Sequence, residues 1–217
     1  MTTFHIITIF PEAFDSYLKT SLLKKAQERR LIKFNLVNLR DFANDKHHKV
    51  DDSPYGGGPG MVLKIEPIYK AVNSLKAKLK SKKTRVILFS LRGKKFNNQT
   101  AKRLVKYDHL ILICGRYEGI DERAVKIAAD EEISIGDYVL SGGELPALVL
   151  AEAVSRHIKG VLGKEESLEE IKGSYPVYTR PEVLIHKGRK YRVPEVLLSG
   201  DHQKIKAWRL KRGREMK

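Results

Sequence analysis

A loop rich in glycine and proline is the first segment of this chain whose composition suggests chemistry. It runs from Val50 to Met61 and reads Val-Asp-Asp-Ser-Pro-Tyr-Gly-Gly-Gly-Pro-Gly-Met. Glycine permits positive φ angles and close approach of the backbone, while proline restricts the chain between the glycines. Such a loop can present backbone N–H and C=O groups to a flat ligand such as a nucleobase. It has neither the Gly-Lys-Ser/Thr ending of a Walker loop nor the spacing of dinucleotide-binding glycines.

Two further glycine-containing segments come directly after predicted strands. One runs from Cys114 to Arg123 and reads Cys-Gly-Arg-Tyr-Glu-Gly-Ile-Asp-Glu-Arg, after the apolar run Leu110 to Ile113. The other runs from Ile135 to Pro146 and reads Ile-Gly-Asp-Tyr-Val-Leu-Ser-Gly-Gly-Glu-Leu-Pro. Because open parallel sheets bind ligands at the carboxyl ends of their strands, both segments are predicted to be ligand-binding loops.

Short apolar runs alternate with helical patterns before Gly160, and these elements must position the loops. Strands are predicted over residues 4–10, 34–39, 85–91, 109–114 and 132–135. A helix is predicted from Pro11 onward, with Phe14, Leu18, Leu22 and Ala26 on one face. Further helices are predicted over residues 65–79, 97–105, 121–129 and 144–158. Strands that alternate with helices indicate an α/β domain whose mainly parallel sheet is covered on both faces.

The pattern changes after Gly160. Residues 164–174 are polar and show no sustained apolar face, which is typical of a linker. Beyond them, Asp201 is a plausible helix N-cap that leads into a basic segment ending at Lys217. The sequence therefore predicts a domain over residues 1–160, a linker over 161–180 and a small, mainly helical, basic domain over 181–217.

Basic residues outnumber acidic ones, and their distribution is uneven. The chain has 217 residues and a formal net charge of +16. Residues 76–106 hold twelve basic and no acidic side chains, and residues 182–217 hold eleven basic and four acidic ones. Residues 108–152 reverse the sign, with ten acidic and three basic side chains. This excess of positive charge predicts an anionic partner, with nucleic acid ahead of a membrane surface.

Several classes of protein are excluded by what the sequence lacks. Cys114 is the only cysteine, so an internal disulfide framework and a multi-cysteine metal site are excluded, and we expect Cys114 to be buried. His47 and His48 lie near Asp51 and Asp52, but no separate ligand cluster completes a metal site, so none is predicted. No apolar run is long enough to span a membrane, and no secretory pattern begins the chain. We expect a cytoplasmic protein without a membrane partner.

Taken in order, five segments resemble the bacterial tRNA (guanine-N1)-methyltransferases of the SPOUT, or trefoil-knot, superfamily. They are Phe10-Pro11, Val50 to Met61, Cys114 to Arg123, Ile135 to Pro146 and Tyr178-Thr179-Arg180-Pro181-Glu182-Val183-Leu184. The resemblance covers nearly the whole chain. It implies a parallel-sheet α/β domain knotted at the cofactor site, followed by a C-terminal domain that is short for the family. Ordinary topology rules would not suggest a knot.

The resemblance also implies an activity. Members transfer a methyl group from S-adenosylmethionine to N1 of the guanosine at tRNA position 37, immediately 3′ of the anticodon. They act as homodimers whose active site lies across the subunit interface. Magnesium dependence is implied as well, although the sequence identifies no ligand for Mg²⁺. The partner is the anticodon arm of tRNA.

Cofactor and substrate residues follow from the matching motifs. The resemblance places the cofactor among Leu88, Phe89, Ser90, Leu91, Gly115, Tyr117, Glu118, Gly119, Ser134, Ile135, Gly136, Asp137, Tyr138, Val139, Leu140, Gly142, Gly143 and Pro146. Asp51, Pro59 and Gly60 are expected near the target guanine. The basic side chains Arg209, Lys211 and Arg212 are expected to bind phosphates of the anticodon arm. The segment Phe89 to Gly93 departs from the family's Leu-Ser-Pro-Gln-Gly.

Methylation of guanine N1 requires removal of a weakly acidic proton and compensation of negative charge at O6. A carboxylate base and a cationic group near O6 are therefore the expected catalytic parts. By resemblance, Arg156 stabilises O6. The family's base is an aspartate in the linker, which this chain lacks. Glu170, or failing that Glu169, is the expected substitute.

Three alternative functions are compatible with parts of this pattern. The first is a knotted methyltransferase acting on another RNA, such as ribosomal RNA. The second is a non-catalytic RNA-binding module whose glycine loops only present a surface. The third is a nucleotide-dependent oxidoreductase, which the missing fingerprint after the first strand disfavours. Binding of S-adenosylmethionine distinguishes an enzyme from a binding module.

Overall fold

The structure is a computed structural model that describes residues 1–79, 81, 83–163 and 175–215. Two compact units make up the chain, Met1–Leu162 and Gly163–Lys217. The predicted domain boundary at residue 160 lies close to the boundary between these units. The predicted linker core, residues 164–174, lies outside the described residues.

The described residues of the first unit form seven strands. They are β1 Thr2–Thr8, β2 Ile32–Asn38, β3 Asp51–Asp52, β4 Val62–Leu63, β5 Thr84–Lys95, β6 His109–Ile113 and β7 Glu131–Ser134. Five of them form one parallel sheet in the order β2-β1-β6-β5-β7. The apolar run of β6 lies inside this sheet and is buried on both faces, which explains why it lacks the alternation of an exposed strand.

The helices of this unit cover both faces of the sheet. They are α1 Asp15–Leu18, α2 Ser21–Glu28, α3 Ile65–Leu79, α4 Asn98–Leu104, α5 Arg123–Ile127 and α6 Glu144–Arg156. Alternate residues of β6 enter two separate apolar clusters. Leu110 and Leu112 pack with residues of α2, α4 and α6, whereas Ile111 and Ile113 pack with residues of α3 and α5. The predicted α/β class with a parallel sheet is confirmed, while the knot stays a prediction.

The first predicted helix is broken into three pieces. A 3-10 turn covers Pro11–Phe14, and α1 ends at Leu18 before α2 begins at Ser21. Ser21, the first residue of α2, has a φ angle of 43°, in the left-handed region, so α1 cannot continue through this position into α2. The expectation of one continuous helix was therefore wrong, although Phe14, Leu18 and Ala26 are buried as its apolar face predicted.

Within residues 175–215, which the structure describes, the second unit contains a β-hairpin and two helices. Their bounds are β8 Val183–His186, β9 Arg189–Arg192, α7 Glu195–Leu198 and α8 His202–Glu215. The hairpin turns at Lys187 and Gly188, both of which have positive φ angles. The sequence analysis did not predict this hairpin, because β9 reads Arg-Lys-Tyr-Arg and offers one apolar residue where a strand pattern needs alternation.

Candidate active site

A cavity of about 460 Å³ lies at the carboxyl edge of the sheet. Three segments enclose it, namely the middle of β5 with the loops that follow β6 and β7. The cavity wall contains all but one of the residues predicted to bind a cofactor: Leu88, Phe89, Ser90, Leu91, Gly115, Tyr117, Glu118, Gly119, Ser134, Ile135, Gly136, Tyr138, Val139, Leu140, Gly142, Gly143 and Pro146. Asp137 is the exception, and its carboxylate pairs with Lys95 instead.

The loops after β6 and β7 are joined by their backbones. Gly143 donates its N–H to the carbonyl of Gly115 at 2.9 Å, and Arg116 forms an antiparallel bridge with Gly142. A Cβ atom at Gly143 would lie only 2.6 Å from the Cα of Cys114. This contact requires glycine at position 143 and explains why the motif carries one there.

An irregularity in β5 forms the third wall. β5 pairs with β7 at Phe89 and again at Lys94, so that residues 90–93 leave the ladder as a bulge. Gly93 ends this bulge, where a Cβ atom would meet the backbone of Ile133 at 2.6 Å. The bulge turns Ser90 and Leu91 into the cavity wall. Its sequence differs from the family pattern, but its position matches the predicted cofactor segment.

A buried ion pair fixes the entrance of α6 against the loop after β6. The Glu144 carboxylate accepts a hydrogen bond from Thr8 Oγ1 at 2.7 Å and one from Arg116 Nε at 2.9 Å. The Arg116 guanidinium also lies 4.7 Å from the centre of the Phe10 ring. Cys114 is buried nearby, as predicted, and burial raises the pKa of its thiol well above the usual value. The thiol is therefore a packing group here.

Acidic side chains line part of the cavity. Glu118, Glu122 and Glu132 all belong to its wall. Glu122 pairs with Arg92, whereas Glu118 makes no ion pair with any residue that the structure describes. Unpaired negative charge beside a cavity favours a cationic ligand.

The glycine-rich loop lies beside this acidic wall. Asp51 pairs with Leu63 in the short β3–β4 ladder, and Met61 accepts the N–H of Glu118 at 3.0 Å. Gly60 packs on the Glu118 side chain, because a Cβ at position 60 would lie 2.6 Å from its Oε1. The structure thus brings Pro59 and Gly60 to the edge of the cavity, with Asp51 on the same small ladder.

Several cavity residues were missed by the sequence analysis. These are Arg92, Arg116, Ile120, Glu122, Val125, Glu132, Ile133 and Ser141. Most of them lie inside or next to the predicted motifs, so the motifs themselves were the available signal. Glu122 lies within the predicted loop Cys114 to Arg123, whereas Val125 belongs to α5 and nothing in its local sequence marks it as ligand-facing.

The basic run and the acidic block partly neutralise each other. Arg85 and Arg103 both bind Glu131, from 2.9 and 2.7 Å respectively. Burial alone would raise the pKa of Glu131, but the hydrogen bonds from Arg103 and Arg85 outweigh it and lower the pKa. Arg92 and Lys95 have acidic partners too. These four of the twelve basic side chains in the run therefore have acidic partners within the protein.

Comparison with known proteins connects this cavity with a family. The model of the family described as tRNA (Guanine-1)-methyltransferase TrmD matches residues 2–216, nearly the full chain. The chain belongs to the tRNA (guanine-N1)-methyltransferase family. The resemblance inferred from the five motifs is confirmed. Because this is a family of methyltransferases, its reaction needs a methyl donor.

Individual members of the tRNA (guanine-N1)-methyltransferase family are similar along almost their whole length. The protein of that name from Carboxydothermus hydrogenoformans is 51% identical over 211 residues, which are 95% of this chain and 80% of that protein. The one from Dictyoglomus turgidum is 52% identical over 216 residues, 97% of this chain and 84% of that protein. The one from Clostridioides difficile is 49% identical over 211 residues, 95% and 90% of the two chains.

The residues to which the tRNA (guanine-N1)-methyltransferase resemblance gives catalytic roles are not all at the cavity. Arg156 is the last residue of α6 and does not line it. Pro146 does, and ten helical residues separate the two, a rise of about 15 Å. Glu169 and Glu170 lie outside the described residues. Arg156 therefore does not contribute to the cavity wall of its own chain.

The predicted tRNA-binding side chains of this family member lie on α8 in the second unit. The Arg209 guanidinium lies 5.0 Å from the centre of the Tyr175 ring, and that of Arg212 lies 6.0 Å from the Trp208 ring. Lys211 is exposed on the same helix. These contacts hold arginines against aromatic rings while their charges stay near solvent.

Two further observations concern metals and membranes. Within the described ranges, no group of three or more His, Cys, Asp or Glu side chains is arranged to hold a metal ion. Among the helices of the same residues, none combines the length and apolar character needed to cross a bilayer.

Proposed function

We propose that this protein transfers a methyl group from S-adenosylmethionine to N1 of the guanosine at tRNA position 37. The observation that carries the proposal is the single cavity that collects seventeen of the eighteen predicted cofactor residues. These residues come from three segments that are far apart in the sequence. Membership of the tRNA (guanine-N1)-methyltransferase family supports the reaction and its tRNA substrate.

The cavity fits a methyl donor of this class. Its volume of about 460 Å³ lies in the range of small-molecule sites. Leu88, Phe89 and Ile133 supply apolar surface for a flat base, and glycine-rich loops bring backbone groups close. Glu118 supplies negative charge for a cationic ligand. When bound, S-adenosylmethionine provides an electrophilic methyl group on a sulfonium centre.

The reaction requires the protein to remove one proton and to stabilise one developing negative charge. N1 of guanine carries a proton that a carboxylate base removes, and we assign this role to Glu170, with Glu169 as the substitute. The charge that moves to O6 requires a cation, for which we assign Arg156. The Pro59-Gly60 step, next to Glu118, contacts the guanine that leaves the anticodon loop. A base in an unpaired loop is extruded at low cost.

A homodimer explains the position of Arg156. Leu145, Val149, Glu152 and Arg156 recur at helical spacing on one face of α6, and the two apolar side chains are 58% and 46% exposed. Exposed apolar surface on a helix that ends in a proposed catalytic residue suits a second copy of this chain. In such a dimer, Arg156 of one protomer serves the cavity of the other.

The second unit carries the side chains that we propose to bind tRNA. Arg209, Lys211 and Arg212 bind phosphates of the anticodon arm, so the affinity for tRNA falls steeply as salt rises. The residues described do not provide a protein-held Mg²⁺ site, and no step of this mechanism uses one. A tRNA-modifying role places the protein in the cytoplasm.

Calorimetry with S-adenosylhomocysteine tests the cavity assignment. We expect the wild-type protein to bind it and Leu140→Ala to bind about tenfold more weakly, because Leu140 lines the cavity. Leu184→Ala is the matched control, since Leu184 is also an exposed leucine, at 56% against 37% for Leu140, but belongs to the second unit. Absence of binding by the wild type would favour the non-catalytic RNA-binding module.

A further inference from the structure

Tyr55 lies at the apex of a turn in the glycine-rich loop. Gly57 donates its N–H to the carbonyl of Pro54 at 3.3 Å, which closes a four-residue turn around Tyr55 and Gly56. Gly56 has a φ angle of 86°, the value that the third position of a type II turn requires. The turn therefore fixes the backbone of Tyr55 without any help from its side chain.

The Tyr55 ring has no cover from the surrounding loop. Its side chain is fully exposed, at 101%. A Cβ atom added at Gly56, Gly57 or Gly58 would meet no atom within 4 Å, so the loop around the ring is bare backbone. A protein partner requires a packed group of apolar side chains, which this surface lacks. A single planar ligand needs only one free ring face.

The loop connects this ring to the cavity. β3 and β4 pair at its base, and Gly60 at its far end packs against Glu118 of the cavity wall. Tyr55 and Gly60 thus belong to one loop, and four residues separate them in the sequence. A nucleic acid that places one base in the cavity brings neighbouring bases to this loop.

We propose that Tyr55 stacks on an unpaired base of the anticodon loop adjacent to the guanosine that enters the cavity. The inference rests on the proposed function and adds a second contact to the same substrate. Every base offers a π face, so an aromatic side chain can bind a loop base without reading its identity. Presentation on a hydrogen-bonded turn reduces the ordering that binding would otherwise require.

The test uses the full chain, S-adenosylhomocysteine and an RNA hairpin with the anticodon stem and loop. Tyr55→Phe keeps the ring, while Tyr55→Leu keeps apolar bulk without a π face. We expect Tyr55→Phe to retain the wild-type Kd within about twofold and Tyr55→Leu to raise it by about 5- to 150-fold. Affinity for S-adenosylhomocysteine alone should stay unchanged in both variants, since Tyr55 does not line the cavity.

A fluorescent base identifies the contact. 2-Aminopurine is placed at each loop position in turn, and stacking on Tyr55 should quench it at one position in the wild type and in Tyr55→Phe. Tyr55→Leu should lose that quenching, and an abasic residue at the same position should remove the difference in Kd between the variants.

Two results would overturn the inference, and they are distinguishable. A wild-type protein that fails to bind the hairpin contradicts the proposed function and this contact together. A wild type that binds the hairpin, with Tyr55→Leu equal in Kd and in quenching at every position, contradicts the stacking contact alone.

Discussion

Arg116 Nε donates a hydrogen bond to the Glu144 carboxylate at 2.9 Å, in a pair that joins the loop after β6 to the first turn of α6. The Glu144 side chain is only 6% exposed and that of Arg116 is 26% exposed. Thr8, at the end of β1, donates to the same carboxylate. One charge pair therefore joins three elements, two of which, the loop after β6 and α6, contribute residues to the cavity wall.

Loss of the Arg116 side chain should destabilise the fold. Arg116→Ala leaves a buried carboxylate without its cation, so we expect the free energy of unfolding to fall by about 3 kcal/mol. Denaturant unfolding measures this change. Arg123→Ala is the matched control, because Arg123 is 65% exposed in its pair with Asp121 and its loss should destabilise the fold far less. Equal losses in the two variants would contradict the role of the buried pair.

A methyl group at Gly93 should disturb the cavity wall that the bulge of β5 forms. Gly93→Ala places a Cβ atom 2.6 Å from the backbone of Ile133, so β5 and β7 must move apart at the bulge. We expect a loss of about 1–3 kcal/mol in stability and weaker binding of S-adenosylhomocysteine. Gly163→Ala is the control, since a Cβ there meets no atom within 4 Å. Unchanged stability and affinity in Gly93→Ala would refute the close approach.

His5 should make stability depend on pH. It is 5% exposed, and burial, followed by the nearby His109 and Lys33, lowers its pKa from 6.5 to about 4. Its Nε2 lies 3.2 Å from His109 Nδ1, and its Nδ1 lies 3.0 Å from Asn35 Nδ2. These contacts suit a neutral ring that accepts from Asn35 and donates to His109.

The lowered pKa of His5 determines whether stability rises or falls with pH. Above pH 6.5 His5 is neutral in both states, and its contribution to stability is complete. As the pH falls towards 4 the unfolded chain binds the proton first, so about 3 kcal/mol of stability is lost. His5→Gln should flatten the dependence of unfolding free energy on pH between 6.5 and 4, compared with His186→Gln at an exposed position. Parallel pH profiles for the two variants would contradict this role.

Complementation should reveal whether the active site is shared between protomers. Glu118→Gln impairs the cavity and Arg156→Ala removes the proposed cation at O6. If each site combines the cavity of one protomer with Arg156 of the other, mixed dimers contain one intact site, and refolding an equal mixture should restore about a quarter of wild-type activity. Sites built within one protomer would leave the mixture as inactive as either variant.

Helices and strands whose residues follow a regular apolar pattern could be predicted from the sequence. The helix at Ile65–Leu79 was predicted with its observed bounds, because its apolar spacing is regular. The run that forms β6 was recognised from its continuous apolar residues. The loops after β6 and β7, which line the cavity, were predicted as ligand-binding loops because they follow strands and contain glycines, and Gly143 does make a close backbone contact.

Other features depend on contacts between residues that are distant in the sequence, and no local pattern predicts them. The bulge of β5 depends on Gly93 meeting β7, some forty residues later. Arg85 and Arg103 belong to the basic run of residues 76–106. Both pair with Glu131, so part of the positive charge of that run is used in contacts within the protein. Arg156 lies at the far end of α6, so its proposed role depends on a second chain, which the sequence of one chain does not indicate.

Methyl transfer to tRNA tests the central claim most directly. The wild-type protein is incubated with labelled S-adenosylmethionine and two unmodified tRNA transcripts that differ only in having guanosine or adenosine at position 37. Nucleoside analysis should then identify 1-methylguanosine in the first transcript and no label in the second. Equal labelling of both transcripts, or label in another modified nucleoside, would contradict the account.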